Sequence, residues 1–181
     1  MERFVCLLRG VNVGGPGTRL AMAAFRAALE GIGCADVATY IQSGNAVFRA
    51  EGPADGLAAA VTAALTLPNG TRPSCFILPF AALETAYAAN PFPQAEPAPQ
   101  SLHLVFLDRP VQPDEASLRA LAAADEEFAT IGAVFYLYAP SGVGRSRLAQ
   151  KMGRHFGGAG ITARNLATVK ALIAMARALP G

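Results

Sequence analysis

The hydrophobic pattern changes period along the chain. Phe4 to Val11 is a short, nearly unbroken apolar run that predicts a buried strand, and the Gly-rich stretch Gly14-Gly15-Pro16-Gly17 ends it. Met22, Phe25, Leu29 and Ile32 then fall on one helical face, predicting a helix over Leu20–Leu29 that Gly31 and Gly33 close. Val37–Gln42 and Ala46–Arg49 read as two strands, and Ser43-Gly44-Asn45 between them is a hairpin signal. Leu57, Val61 and Leu65 form a stripe on a second helix, with Asp55 as its expected cap, and Ser74–Leu78 reads as a strand.

The order partly repeats after a break. Ala81–Ala89 suits a helix, and Asn90–Gln100 holds Pro91, Pro93, Pro97 and Pro99, which predicts an irregular connector. Leu102–Leu107 is a strand, Asp114–Ala124 a helix, Phe128–Ile131 a weak strand and Ala133–Tyr138 a stronger one. After Pro140-Ser141-Gly142-Val143-Gly144, a helix fits Arg145–Phe156, with Leu148, Met152, His155 and Phe156 as its apolar stripe. Gly157-Gly158-Ala159-Gly160 interrupts the chain, and Asn165 is placed to cap a final helix carrying Leu166, Val169, Leu172, Ile173 and Met175.

The first six elements read βαββαβ, the split βαβ order of ferredoxin-like domains. The fold expected is therefore α+β, with two ferredoxin-like βαββ-type halves, helices packed on antiparallel sheets and extra C-terminal helices. The expected divisions are residues 1–89, a Pro-rich connector at 90–100, and a second α+β subdomain at 101–181.

Composition supports a packed chain. Of 181 residues, 52% are hydrophobic and only 15% charged, so enough apolar surface is available to offset the entropy of ordering. No apolar run approaches the ~20 residues needed to span a bilayer, and Met1-Glu2-Arg3-Phe4 lacks a secretory pattern, so no membrane partner and a cytoplasmic location are expected. Cys6, Cys34 and Cys75 are far apart in sequence and sit among apolar residues, which predicts buried, reduced thiols. His103 and His155 belong to no metal-binding motif, so neither a metal nor a cofactor is expected.

Charge changes the picture. The net +2 combines +7 in residues 140–181 with −5 in residues 1–139. Arg145, Arg147, Lys151, Arg154, Arg164, Lys170 and Arg177 are accompanied by no acid in that last segment. Such a segment is either a solvated face, a set of partners for acids elsewhere, or a surface for phosphate groups.

Two strand-to-helix turns are candidate anion sites. In Leu7-Leu8-Arg9-Gly10-Val11-Asn12-Val13-Gly14-Gly15, the backbone of Gly14 and Gly15, the Asn12 amide and the Arg9 guanidinium could hold an anion, although no Lys-Ser/Thr follows as in a P-loop. A turn that needs glycine for geometry alone explains the same residues. In Ser141-Gly142-Val143-Gly144-Arg145-Ser146-Arg147, cations open the expected helix and oppose its dipole, a penalty that a bound anion would remove. Arg147, Lys151 and Arg154 share one face at i, i+4, i+7 spacing. Arg164 precedes the last helix and could reach a ligand there, with Asn165 as a plain cap.

Catalytic signatures are poorly supported. No serine lies in a Gly-x-Ser-x-Gly elbow. Asp125-Glu126-Glu127 is contiguous and reads as a solvated turn. An RNA-recognition module would stack bases on aromatic residues of its central strands, and the third element supplies only Phe48.

Those segments resemble a bacterial family known as domain of unknown function 1697. The resemblance is carried by Leu7 to Gly15, Thr39-Tyr40-Ile41-Gln42-Ser43-Gly44-Asn45-Ala46-Val47-Phe48, Asn90-Pro91-Phe92-Pro93, Tyr136-Leu137-Tyr138 with Gly144-Arg145-Ser146, and Thr162 to Asn165. It implies an α+β fold with ferredoxin-like halves and no assigned catalytic residue. The chain departs from the family pattern in two places. Pro16-Gly17-Thr18-Arg19 stands where members often place a lysine, and Leu166 and Ala167 stand where many have Trp and Asn.

Three functions are compatible with these residues. The first is a binding protein for a phosphate-bearing small molecule or nucleic acid, through Arg9, Asn12, Gly14, Gly15, Arg145, Ser146, Arg147, Lys151 and Arg164. The second is an enzyme acting on a small phosphorylated metabolite with the same loops. The third is a protein-interaction module using Tyr136, Tyr138 and the alanine-rich helices. Neither enzymatic activity nor oligomeric state follows from any pattern in the sequence.

Overall fold

The computed structural model describes residues 1–180. Its described residues divide into two compact units, 1–85 with 171–180, and 86–170.

The first unit is built on β1 (Glu2–Arg9), α1 (Met22–Gly31), β2 (Ala35–Tyr40), β3 (Asn45–Ala50), α2 (Ala54–Ala64) and β4 (Ser74–Pro79). All neighbours in its sheet are antiparallel, in the order β2-β3-β1-β4. The unbroken run Phe4–Leu8 is explained by this position: β1 is central and its five residues are buried on both faces. Phe4, Cys6 and Leu8 share one core with Phe25 and Leu29 of α1 and Val61 of α2. Val5 pairs with Val47 on one side and Leu78 on the other.

One expected cap differs. Pro53 holds the N-cap position of α2, and Asp55 lies in the first turn without a side-chain capping bond. Proline presets the backbone angle for entering a helix, and the Asp55 charge still complements the positive end of the helix dipole.

The connector is more ordered than its prolines predict. Following α3 (Phe80–Ala88), it forms short 3-10 turns at Pro93–Ala95 and Pro99–Ser101, with Phe92 and Ala95 buried. Proline suits the first position of such turns because no amide hydrogen is needed there.

The second unit carries β5 (Leu102–Leu107), α4 (Glu115–Leu121), β6 (Glu127–Ile131), β7 (Val134–Tyr138), α5 (Arg147–Lys151) and β8 (Ile161–Asn165). Its sheet order, β6-β7-β5-β8, reproduces the first sheet strand for strand, again with antiparallel neighbours. Each half is therefore βαββαβ, and the α+β expectation with two ferredoxin-like halves holds. Phe135 anchors this core, stacked on Phe128 at 5.3 Å between ring centres and edge-on to Phe156 at 5.1 Å. The last helix, α6 (Leu166–Ala178), follows β8 directly.

β8 is the element that hydrophobic pattern does not announce. Thr162-Ala163-Arg164-Asn165 carries no apolar alternation, yet these residues pair with Phe106 to His103 of β5. The expected helix Arg145–Phe156 is also broken. Its residues form a 3-10 turn at Val143–Arg145, the five-residue α5, and a second 3-10 turn at Met152–His155. Gly144 and Gly153 lower the helical preference of this segment. Leu148, Met152 and Phe156 remain on the buried side.

Candidate functional site

In the first loop, Asn12 is a structural keystone. Its carboxamide accepts from Leu20 N at 2.9 Å and donates to Leu20 O at 3.0 Å and Gln42 O at 2.6 Å. Its backbone lies in the left-handed region, φ 55°, which asparagine tolerates better than most residues. The loop is closed by Asn12 N donating to Thr18 O at 2.7 Å and by the Thr18 hydroxyl bonding Val13 O. The Asn12 side chain is thus committed to the fold, while Arg9, Gly14 and Gly15 are exposed.

The second loop separates the other expected ligand-binding residues. Ser146 is buried, and its hydroxyl accepts from Ala149 N at 2.9 Å, so it caps α5 and points away from solvent. Arg145 precedes that cap in a 3-10 turn, and α5 has only five residues. The dipole argument for an anion at a helix start therefore loses its premise.

Arg147 and Lys151 meet in a different feature. Together with Arg154 and His155 they line one side of a shallow groove of about 370 Å³, and Ser117, Ala120 and Leu121 of α4 line the other. Two further hollows lie around Pro110–Pro113 with Thr130, and around Arg3 with Phe80; neither gathers more than one cation. Asp114, at the N-terminus of α4, accepts from Ser117 N at 3.1 Å, and its second oxygen lies 3.8 Å from His155 Nδ1. The Ser117 bonds, with His155 a lesser contributor, hold the Asp114 carboxyl below its usual range.

The seven cations of the basic segment sort by partner. Lys170 pairs with Glu96 at 2.7 Å and Arg177 with Glu84 at 2.7 Å. Arg164 lies within β8 and donates to Thr162 Oγ1 and Ala163 O, while Asn165 accepts from Thr168 N at 2.9 Å as the expected cap. Arg145, Arg147, Lys151 and Arg154 are exposed, and among the described residues none of the four has a carboxylate within 4.0 Å.

Sequence reasoning found Arg147, Lys151 and Arg154 through their spacing. It missed Ser117, because α4 is joined to α5 only by tertiary packing, and it assigned His155 to the apolar stripe, where the structure leaves it half-buried at the groove. The acidic run was also misread in part: Glu126 is buried and accepts from Ala123 N at 2.8 Å, and Asp125 accepts from the Ser141 hydroxyl at 2.6 Å. These carboxylates fix turns.

The class defined by this architecture is an α+β protein made of two successive ferredoxin-like halves. Within that class the chain belongs to the family described as protein of unknown function (DUF1697), whose model matches residues 1–136. A conserved bacterial protein from Streptococcus pneumoniae has a similar structure, with a TM-score of 0.68 and 24% identity over 97% of this chain and 98% of that one. That likeness extends the shared fold through residues beyond the family match. Among curated proteins, none matches the chain significantly. Among the described residues, no helix is long and apolar enough to cross a membrane.

Proposed function

We propose that the groove between α4 and α5 binds a phosphate-bearing ligand, with single-stranded nucleic acid as the class its shape fits best. The observation that carries this reading is the convergence of Arg147, Lys151 and Arg154, all exposed and without carboxylate partners, on one groove. Three like charges held together repel one another, and phosphate oxygens would relieve that repulsion. Ala120 and Leu121 provide an apolar strip opposite the cations, on which the flat face of a base can lie. A shallow, open groove suits an extended chain better than a small metabolite, which needs enclosure on most sides. Arg145, exposed and two residues before Arg147, is a further cation close to the groove in sequence.

Titration of single-stranded RNA, single-stranded DNA and free nucleotides at low salt tests the reading. The polymers bind more tightly than the nucleotides, and affinity falls as salt rises. Replacing Arg147 and Arg154 together with alanine lowers the slope of log affinity against log salt by about one for each phosphate left without its arginine. An unchanged slope in that double variant refutes the groove as the phosphate site. Arg9→Ala, in the exposed first loop, reports separately on whether Arg9, Gly14 and Gly15 take part.

A further inference from the structure

We infer that Cys6 and Cys75 form a two-thiol modification site that a hydroperoxide converts reversibly to a disulfide. The cysteines are 69 residues apart in sequence, yet their Sγ atoms lie 3.4 Å apart. Cys6 is on the central strand β1 and fully buried; Cys75 is half-buried on the edge strand β4. Both side chains belong to the face that packs against α1 and α2.

This asymmetry assigns the roles. The partly accessible Cys75 meets the oxidant first. Its thiolate attacks one peroxide oxygen, the O–O bond breaks, and Cys75 becomes a sulfenic acid while hydroxide or alkoxide leaves. Cys6, already in van der Waals contact, then attacks the Cys75 sulfur. The S–S bond forms and the sulfenic oxygen leaves as water, carrying the proton released by Cys6. Two thiols have given two electrons to one peroxide.

The register indicates how durable the product is. Cys6 lies opposite Ile77, and Cys75 lies opposite Leu8, so the two cysteines are diagonal neighbours. Diagonal Cα atoms in an antiparallel pair are roughly 7–8 Å apart, at or beyond the usual disulfide span of about 4.4–6.8 Å. Closing the bond to about 2.05 Å therefore draws β1 and β4 together locally, and a bond formed under strain is easily reduced. Cys34 provides an internal contrast. It is buried away from a second thiol, and desolvation pushes its pKa up to about 11, which suppresses the reactive thiolate.

The test treats the purified full chain with hydrogen peroxide and maps its cysteines by mass spectrometry without reductant. The expected product has lost two hydrogens, contains a Cys6–Cys75 crosslinked peptide, leaves Cys34 unmodified, and returns to the starting mass with reduced glutathione. In Cys6→Ala, the crosslink is lost and Cys75 accumulates as a dimedone-trappable sulfenic acid. In Cys75→Ser, a nearly isosteric change at a half-buried edge position, no crosslink forms and Cys6 stays unmodified. Oxidation of Cys75 to sulfinic acid in the unaltered chain without a crosslink overturns the proposal. So does a Cys75 that resists peroxide, or a crosslink that glutathione cannot reverse.

Discussion

Leu20 and Asn12 are joined by two hydrogen bonds, the Leu20 backbone serving as both donor and acceptor to one carboxamide at 2.9 and 3.0 Å. The side chain of Asn12 thereby pairs with the backbone as a neighbouring strand would and fixes where the Gly-rich loop closes ahead of α1. A third bond, to Gln42 O, ties that loop to the β2–β3 turn.

Asn12→Ala removes all three bonds and leaves partly buried backbone groups of Leu20 unpaired. The expected cost is about 2–3 kcal/mol, read as a thermal midpoint lower by about 5–10 °C for a chain of this size. Asn12→Asp is no milder, because a carboxylate oxygen then faces two carbonyl oxygens. An Asn12→Ala protein with an unshifted midpoint contradicts the keystone role.

Gly44 and Gly70 share positive φ, at 73° and 80°, but differ in surroundings. A Cβ on Gly44 would lie 2.7 Å from Leu8 Cβ and Val11 Cγ2, whereas a Cβ on Gly70 meets nothing within 4 Å. Gly70→Ala should cost about 1–2 kcal/mol from backbone strain, and Gly44→Ala about 2–5 kcal/mol once overpacking is added. Urea midpoints of the two variants separate the two effects. Equal losses would mean that the β2–β3 turn yields freely to the added methyl.

Tyr136 is buried in β7, and its hydroxyl donates to Ala86 O, a carbonyl in the last turn of α3, at 2.7 Å. Burial pushes the phenol pKa up to about 12, so it remains a donor throughout the neutral range. Tyr136→Phe should cost about 1–2 kcal/mol by leaving that carbonyl unpaired. Denaturant melts measure the loss.

His103 carries a built-in acid sensitivity. Its Nδ1 is buried with no hydrogen-bond partner among the described residues, and desolvation lowers its pKa below the ordinary 6.5. A base whose pKa falls on folding is protonated first in the unfolded chain. Stability is therefore full above about pH 6.5 and declines as pH drops toward the folded-state pKa. His103→Leu should flatten the stability profile between pH 7.5 and 5, and remove an unsatisfied-group penalty of about 1–3 kcal/mol. A variant with the same pH slope as the parent shows that other groups set it.

The sequence alone determined most of the secondary structure, because hydrophobic period is a local property. The doubly buried run at Phe4–Leu8, the stripe Leu57-Val61-Leu65 and the cap at Asn165 are each legible from neighbours within a few residues. It failed at β8, where Thr162-Ala163-Arg164-Asn165 carries no apolar alternation strong enough to announce a strand. Pairing with β5 decides that segment, and the partner lies about 60 residues upstream. Tertiary structure likewise decided which cations remained unpaired. Lys170 and Arg177 found Glu96 and Glu84 more than 70 positions away, while Arg147, Lys151 and Arg154 did not. The same holds for Asn12, whose amide was consumed at home, and for Cys6 and Cys75, which the β1–β4 register brings together. Local sequence sets what each residue prefers, and only the folded chain sets what stands within reach of its side-chain atoms.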